Sequence, residues 1–132
     1  MKANLKKELH NIASSYNIPI EFKKLRYDIA GLADLDNNVI VINSCINNRI
    51  DALGAFFHEL GHLSHPFKSA DPINIDIEIQ REIFTDKWAA KQLRKYDRSV
   101  PFFGGYSWMT KKQIRTFLEN YYNAEKENII CQ

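Results

Sequence analysis

Two histidines four residues apart, His58 and His62, with Glu59 beside the first, are the residues of this chain best suited to chemistry. On a helix, positions i and i+4 sit one above the other on a single face, so both imidazoles can aim a ring nitrogen at one point. Zinc takes such nitrogens at about 2.0–2.1 Å. Glu59 falls roughly 100° around the helix from His58, where its carboxylate meets a water beside the metal rather than the metal itself. Two neutral ligands and one carboxylate to receive a proton are what metal-assisted hydrolysis requires. A bound zinc ion lowers the pKa of water from about 15.7 to about 7, which makes hydroxide accessible at neutral pH. The plain alternative is an amphipathic helix whose polar face is rich in histidine. Gly61 weighs against it. A glycine inside a helix costs roughly 1 kcal/mol relative to alanine, and it makes sense where another backbone or a substrate passes close by.

A catalytic zinc site needs a third protein ligand and an open position. His65 lies on the same helical face, but three consecutive turns of one straight helix do not converge easily on a single ion. It also abuts Pro66, so it reads as a polar residue at the helix C-terminus. A longer motif would supply a distant histidine where this chain has Lys68. Carboxylates are the other source. Ile79, Ile83, Ala90 and Leu93 form the main apolar stripe of a helix expected over residues 75–96, and Asp86 falls in the middle of that stripe. A carboxylate at a core position is costly unless it is paired or hydrogen-bonded. Glu82 lies one turn earlier, at the stripe's edge. The economical reading makes Glu82 the third ligand and Asp86 the acceptor of a hydrogen bond from a ligand histidine, which fixes the ring and raises its basicity. Glu78, one further turn back, is the fallback ligand. The plain alternative is a surface Glu82 with Asp86 in a structural salt bridge. For a donor to a tetrahedral oxyanion the candidate is Tyr106, in the loop of Gly104 and Gly105, against a packing role there. Arg94, Tyr96 and Arg98 are further candidates.

The elements that would hold these residues follow from periodicity. Leu5, Leu9, Ile12, Ala13 and Tyr16 recur at helical spacing, which predicts an amphipathic helix over residues 3–16. Residues 18–22 read as a short strand with Pro19 at its start or on an edge. Residues 29–43 read as a hairpin turning at Asp36, Asn37 and Asn38, because Asx residues tolerate the positive φ of tight turns. The run Val39, Ile40, Val41 and Ile42 is β-branched throughout and uncharged, which predicts a central strand. A helix over residues 48–64 carries the two histidines, with Ile50, Leu53, Phe57 and Leu60 as its apolar face and Phe56 and Leu63 widening it. A second apolar stripe, Ile77, Phe84 and Trp88, reads as core packing rather than a peptide groove. Residues 100–108 read as a loop, and Thr110 with Gln113 fits a capping box at the start of a last helix. One helix, a small antiparallel or mixed sheet of about three strands, then three more helices predict an α+β fold.

At 132 residues the chain reads as a single domain over residues 1–132, large enough for a hydrophobic core without disulfides. A net charge of +2 and the lack of any basic block argue against direct nucleic-acid binding. Cys45 and Cys131 lie far apart, so no cysteine zinc site or redox motif is expected. The N-terminal segment is charged throughout, unlike a signal peptide, and no run approaches the ~18 apolar residues of a membrane span. The expectation is a cytoplasmic, reduced protein.

The HELGH helix, followed by Glu82, Asp86, Ala89 and Ala90, resembles the gluzincin arrangement. With the VIVIN strand at residues 39–43 before it, the region 18–95 resembles the ImmA/IrrE family of small bacterial and phage metallopeptidases. The resemblance implies a zincin-like core and a zinc-dependent protease with one Zn²⁺ per chain, held by His58, His62 and Glu82, with Glu59 as base. It also implies a protein substrate, a helix-turn-helix repressor or similar regulator of a phage, mobile element or stress response. Phe84 stands where the family commonly has a second glutamate, and Thr85 where it has alanine. A different class of function uses the same residues: a module that binds the regulator and occludes it without cutting, its metal site structural or vestigial.

Overall fold

The computed structural model describes residues 1–65, 74–100 and 109–124. Among them the chain is α+β, with four helices and a three-stranded mixed sheet. The order is α1 (Ala3–Ser15), β1 (Ile20–Lys23), β2 (Gly31–Asp34), β3 (Val39–Asn43), α2 (Arg49–Ser64), α3 (Ile75–Tyr96) and α4 (Lys111–Ala124).

Several boundaries have a local cause. Asn17 adopts a positive φ of 56° and ends α1, where the Ile18 amide reaches back to the Ala13 carbonyl. Asn38, with φ 55°, turns the hairpin, and the Asp34 carboxylate accepts the backbone and side-chain N–H groups of Asn37. Asn48 caps α2 by accepting the Asp51 amide, and Asn74 caps α3 through Asp76 and Ile77. Thr110 and Gln113 form the reciprocal capping box at the start of α4.

The sheet runs β1-β3-β2, with β3 parallel to β1 and antiparallel to β2. The uncharged strand is therefore the middle one. One of its faces, Ile40 and Ile42, meets Leu5, Leu9 and Ile12 of α1 and Leu53, Phe56, Phe57 and Leu60 of α2 in the main core. Its other face, Val41, packs under Leu25 and Ile29 in a smaller cluster. A strand covered on both faces has no reason to alternate with polar residues. Asn43 closes this strand, buried, with its side-chain amide donating to the carbonyls of Leu25, Arg26 and Ile29 and its oxygen accepting from Leu25 and Cys45. It thereby fixes the loop that leads into β2.

α3 packs along α2, and their side-chain contacts run in opposite senses: Arg49 meets Asp97, His58 meets Asp86, and His62 meets Glu82. The two helices are antiparallel. α4 covers α3 through Ile79, Ile114 and Leu118. Two expectations from periodicity are corrected. Tyr16 is not part of the buried face of α1; it is 43% exposed, with its ring edge on Phe57. Ile77 and Phe84 are not core residues either, at 45% and 48% exposed. Periodicity assigns them to one side of α3 but does not say whether another element lies there. Among the described residues, no helix is long and apolar enough to cross a membrane.

Candidate metal centre

α2 and α3 bring His58, His62 and Glu82 together, with one ligating atom of each within 4.8 Å of the others. The two histidine Nε2 atoms are 3.1 Å apart. Glu82 lies across them, with Oε2 2.9 Å from His58 Nε2 and Oε1 3.1 Å from His62 Nε2. Three donors each 2.0–2.1 Å from one tetrahedral ion lie about 3.3 Å apart, so this spacing fits a small divalent cation. Two imidazoles and one carboxylate also suit several first-row metals, zinc among them. Among the described residues this is the only such group of potential ligands.

Asp86 stands behind His58. Its Oδ1 is 3.3 Å from Nδ1, the ring nitrogen turned away from the cluster. Asp86 is 5% exposed, as its place in the apolar stripe requires, and a hydrogen bond from His58 Nδ1–H helps make that burial tolerable. Electrostatics bind the group tightly. Burial opposes a charge on His58, but the carboxylates of Asp86 and Glu82 outweigh it and hold the imidazole up at about 10. Burial likewise opposes ionisation of Glu82, and the hydrogen bonds to His58 and His62 overcome it, bringing the carboxyl down to about 2. His62 is raised as well, burial working against it and Glu82 in favour.

Glu59 is on the same turn as His58 but outside the cluster. It is buried beneath β2, and burial pushes its pKa up, with the neighbouring histidines acting in the other direction. Among the described residues its carboxylate accepts no hydrogen bond.

The remaining candidates sit elsewhere. Glu78 is held by Arg81 at 2.8 Å. His65 caps the end of α2, its amide bonded to the Gly61 carbonyl and its ring edge-on to Phe84 and Trp88. Tyr96 donates to Glu8 at the far end of α3. Tyr106 lies outside the described residues, as does the loop of Gly104 and Gly105.

Gly61 is explained by α3. A Cβ at that position would lie 2.7 Å from Thr85 Cγ2 and 3.1 Å from Trp88 Cε3, so the missing side chain lets the two helices approach at the site. Sequence reasoning passed over a second glycine. A Cβ on Gly31 of β2 would lie 3.0 Å from the Val41 carbonyl oxygen and 3.1 Å from Glu59 Cγ. A glycine inside a strand is the signal for a close backbone approach, though not for its partner. Asn43, likewise, reads from the sequence only as the last residue of a strand. No family model matches the chain, and no curated protein matches it either, so function has to be read from the chemistry of the site.

Proposed function

We propose that this protein is a zinc-dependent endopeptidase with a zincin-like core, its α2 the active-site helix. The observation that carries the reading is the convergence of His58 Nε2, His62 Nε2 and the Glu82 carboxylate, with Glu59 beside them and outside the ligand set. A zinc ion held by these three residues supplies Lewis acidity, which polarises a peptide carbonyl and brings water to ionise near neutral pH.

The chain's own residues carry the proton chemistry. A carboxylate oxygen of Glu59 takes a proton from the attacking water as the water oxygen bonds to the carbonyl carbon. The same oxygen then returns a proton to the amide nitrogen as the C–N bond breaks. Burial strengthens Glu59 as a base, because it disfavours the ionised form and raises the pKa. Asp86 keeps the His58 ring turned with Nε2 toward the cluster, by accepting from Nδ1–H.

An extended peptide is the substrate class that fits. Among the described residues β2 is an edge strand, and its Gly31 leaves room for the stem of Glu59. The Asn43 amide donates to the Ala30 carbonyl, so alternation of the antiparallel ladder turns the amides of Gly31 and Ala33 away from β3. Those groups are a template for one more strand beside the base. The resemblance to the ImmA/IrrE family supports a regulatory protein, a helix-turn-helix repressor, as the natural substrate, met in the cytoplasm.

The test joins metal content to cleavage. Protein purified without added metal is expected to carry near one zinc per chain, and His58→Ala to lose it. Incubated with a peptide library from a digested proteome and read by mass spectrometry, wild type should yield new termini that Glu59→Gln, still zinc-loaded, does not. Zinc in both proteins with cleavage by neither would favour the module that binds a regulator without cutting it.

A further inference from the structure

We propose that Gly31 is a positioning residue for Glu59: its bare backbone sets where the Glu59 carboxylate sits relative to His58 and His62. This rests on the reading of Glu59 as the base.

A buried side chain is ordinarily fixed by its hydrogen bonds, and Glu59 accepts none among the described residues. Among the described residues, packing against its stem is the constraint that the structure shows. The element that packs on it is β2, and the point of contact is Gly31, where a Cβ would meet Glu59 Cγ at 3.1 Å. The glycine is not there for its backbone freedom. Gly31 lies in a strand, paired with Ile42, outside the positive-φ region that L side chains avoid. An alanine would suit that conformation, and in a strand it would ordinarily be the better residue. What opposes it is space: a neighbour would have to give by a few tenths of an ångström.

Three neighbours crowd the position: the Val41 carbonyl oxygen at 3.0 Å, Glu59 Cγ at 3.1 Å and Ile42 Cδ1 at 3.3 Å. The Val41 oxygen belongs to the ladder between β2 and β3, and Ile42 is fully enclosed in the core. Glu59 is the neighbour with a flexible stem and no polar anchor, so it is the one to yield. A methyl at position 31 then displaces the carboxylate while leaving the three ligating residues, which lie on α2 and α3, where they are.

The test reads the carboxylate directly in the full-length chain. Carbon-13 spectra of the glutamate side-chain carboxyls are recorded at one pH on chelator-treated protein, the Glu59 signal being the one missing from Glu59→Gln. In Gly31→Ala that signal is expected to shift while those of Glu8 and Glu21 stay. An unmoved Glu59 signal in a folded Gly31→Ala protein would overturn the proposal.

Stability gives a second reading that survives a poorly folding variant. Gly31→Ala should lower the melting temperature by several degrees in the native background and by less than half as much in Glu59→Ala, where Cγ is gone. An equal loss in both backgrounds, or failure of both to fold, would put the strain on Val41 and overturn the proposal. A shifted signal in a chain that cleaves nothing would leave Gly31 in its role and remove the peptidase reading instead.

Discussion

At the scale of single residues, the centre depends on a carboxylate that does not reach the ligand point. Asp86 holds His58 Nδ1 from behind, at 3.3 Å, while Glu82 faces Nε2 at 2.9 Å. The two carboxylates thus play different parts, and their substitutions should separate. Asp86→Asn keeps the size and a hydrogen-bonding oxygen but loses the charge that makes His58 a stronger donor. It is expected to weaken zinc binding about 10–100-fold. Glu82→Ala removes a ligand and should weaken it further. Competition against a chromophoric chelator measures both. Wild-type affinity in Asp86→Asn would return Asp86 to a structural role, and unchanged affinity in Glu82→Ala would take Glu82 out of the ligand set. This part of the site was legible because it breaks a pattern. Paired imidazoles at i and i+4, and a carboxylate inside an apolar stripe, each need a partner to be tolerated, and the least costly partners were each other. Glu59 was legible as well, from its place beside His58, but its burial under β2 was not, because that neighbour is distant in the sequence.

At the scale of elements, the helices could be read closely and their crossings could not. The expected span of residues 75–96 is the observed span of α3, and α2 begins one residue after its cap, Asn48. Caps and apolar periodicity are local, so sequence carries them. The partner across a glycine is not local. Gly61 announced a close approach, and only the packed structure identifies Thr85 and Trp88 as what approaches. The parallel pairing of β1 with β3 was hidden for the same reason. Gly61→Ala puts a methyl 2.7 Å from Thr85 Cγ2, and overpacking of that kind costs about 1–3 kcal/mol. Alanine's better helix propensity, roughly 1 kcal/mol, offsets part of it. A net loss in urea midpoint is therefore expected, with partial recovery in the double variant carrying Thr85→Ala. That second change also removes a buried hydroxyl that has no hydrogen-bond partner among the described residues. A Gly61→Ala protein as stable as wild type would mean that α2 and α3 can separate without loss.

At the scale of the whole molecule, the antiparallel α2 and α3 are clamped at both ends by charged groups, and the two clamps differ in kind. The metal centre is largely but not fully buried, its three side chains 15%, 26% and 13% exposed. The other clamp lies about 14 Å of helix away from His58, counting nine residues at 1.5 Å each. There Arg49, at the start of α2, grips Glu8 of α1 through two hydrogen bonds of 2.9 and 2.8 Å and reaches Asp97 at 3.1 Å. Tyr96 at the end of α3 donates to the same Glu8. Arg49 is 44% exposed at its side chain, so water screens the pair and its worth is about 1 kcal/mol or less. The hydrogen bond from Arg49 lowers the Glu8 pKa from its ordinary 4.5, against the opposing effect of burial and with help from Tyr96. A carboxyl lowered in the folded state contributes its stability above the unfolded value and loses it as pH falls through the folded one. The contribution of Glu8 should therefore be complete above about pH 4.5 and vanish below its lowered pKa. Glu82 also titrates in acid, brought down to about 2, so wild type alone cannot isolate Glu8. Melting temperatures of wild type and Glu8→Gln, both metal-free, remove that overlap. Wild type should be the more stable at pH 7, and the two curves should draw together as the pH falls below about 4.5. High salt should narrow the gap at pH 7, because exposed charges are screened. A gap that persists undiminished down to the lowest pH at which both proteins stay folded would mean that Glu8 holds α1 to α2 by packing rather than by charge.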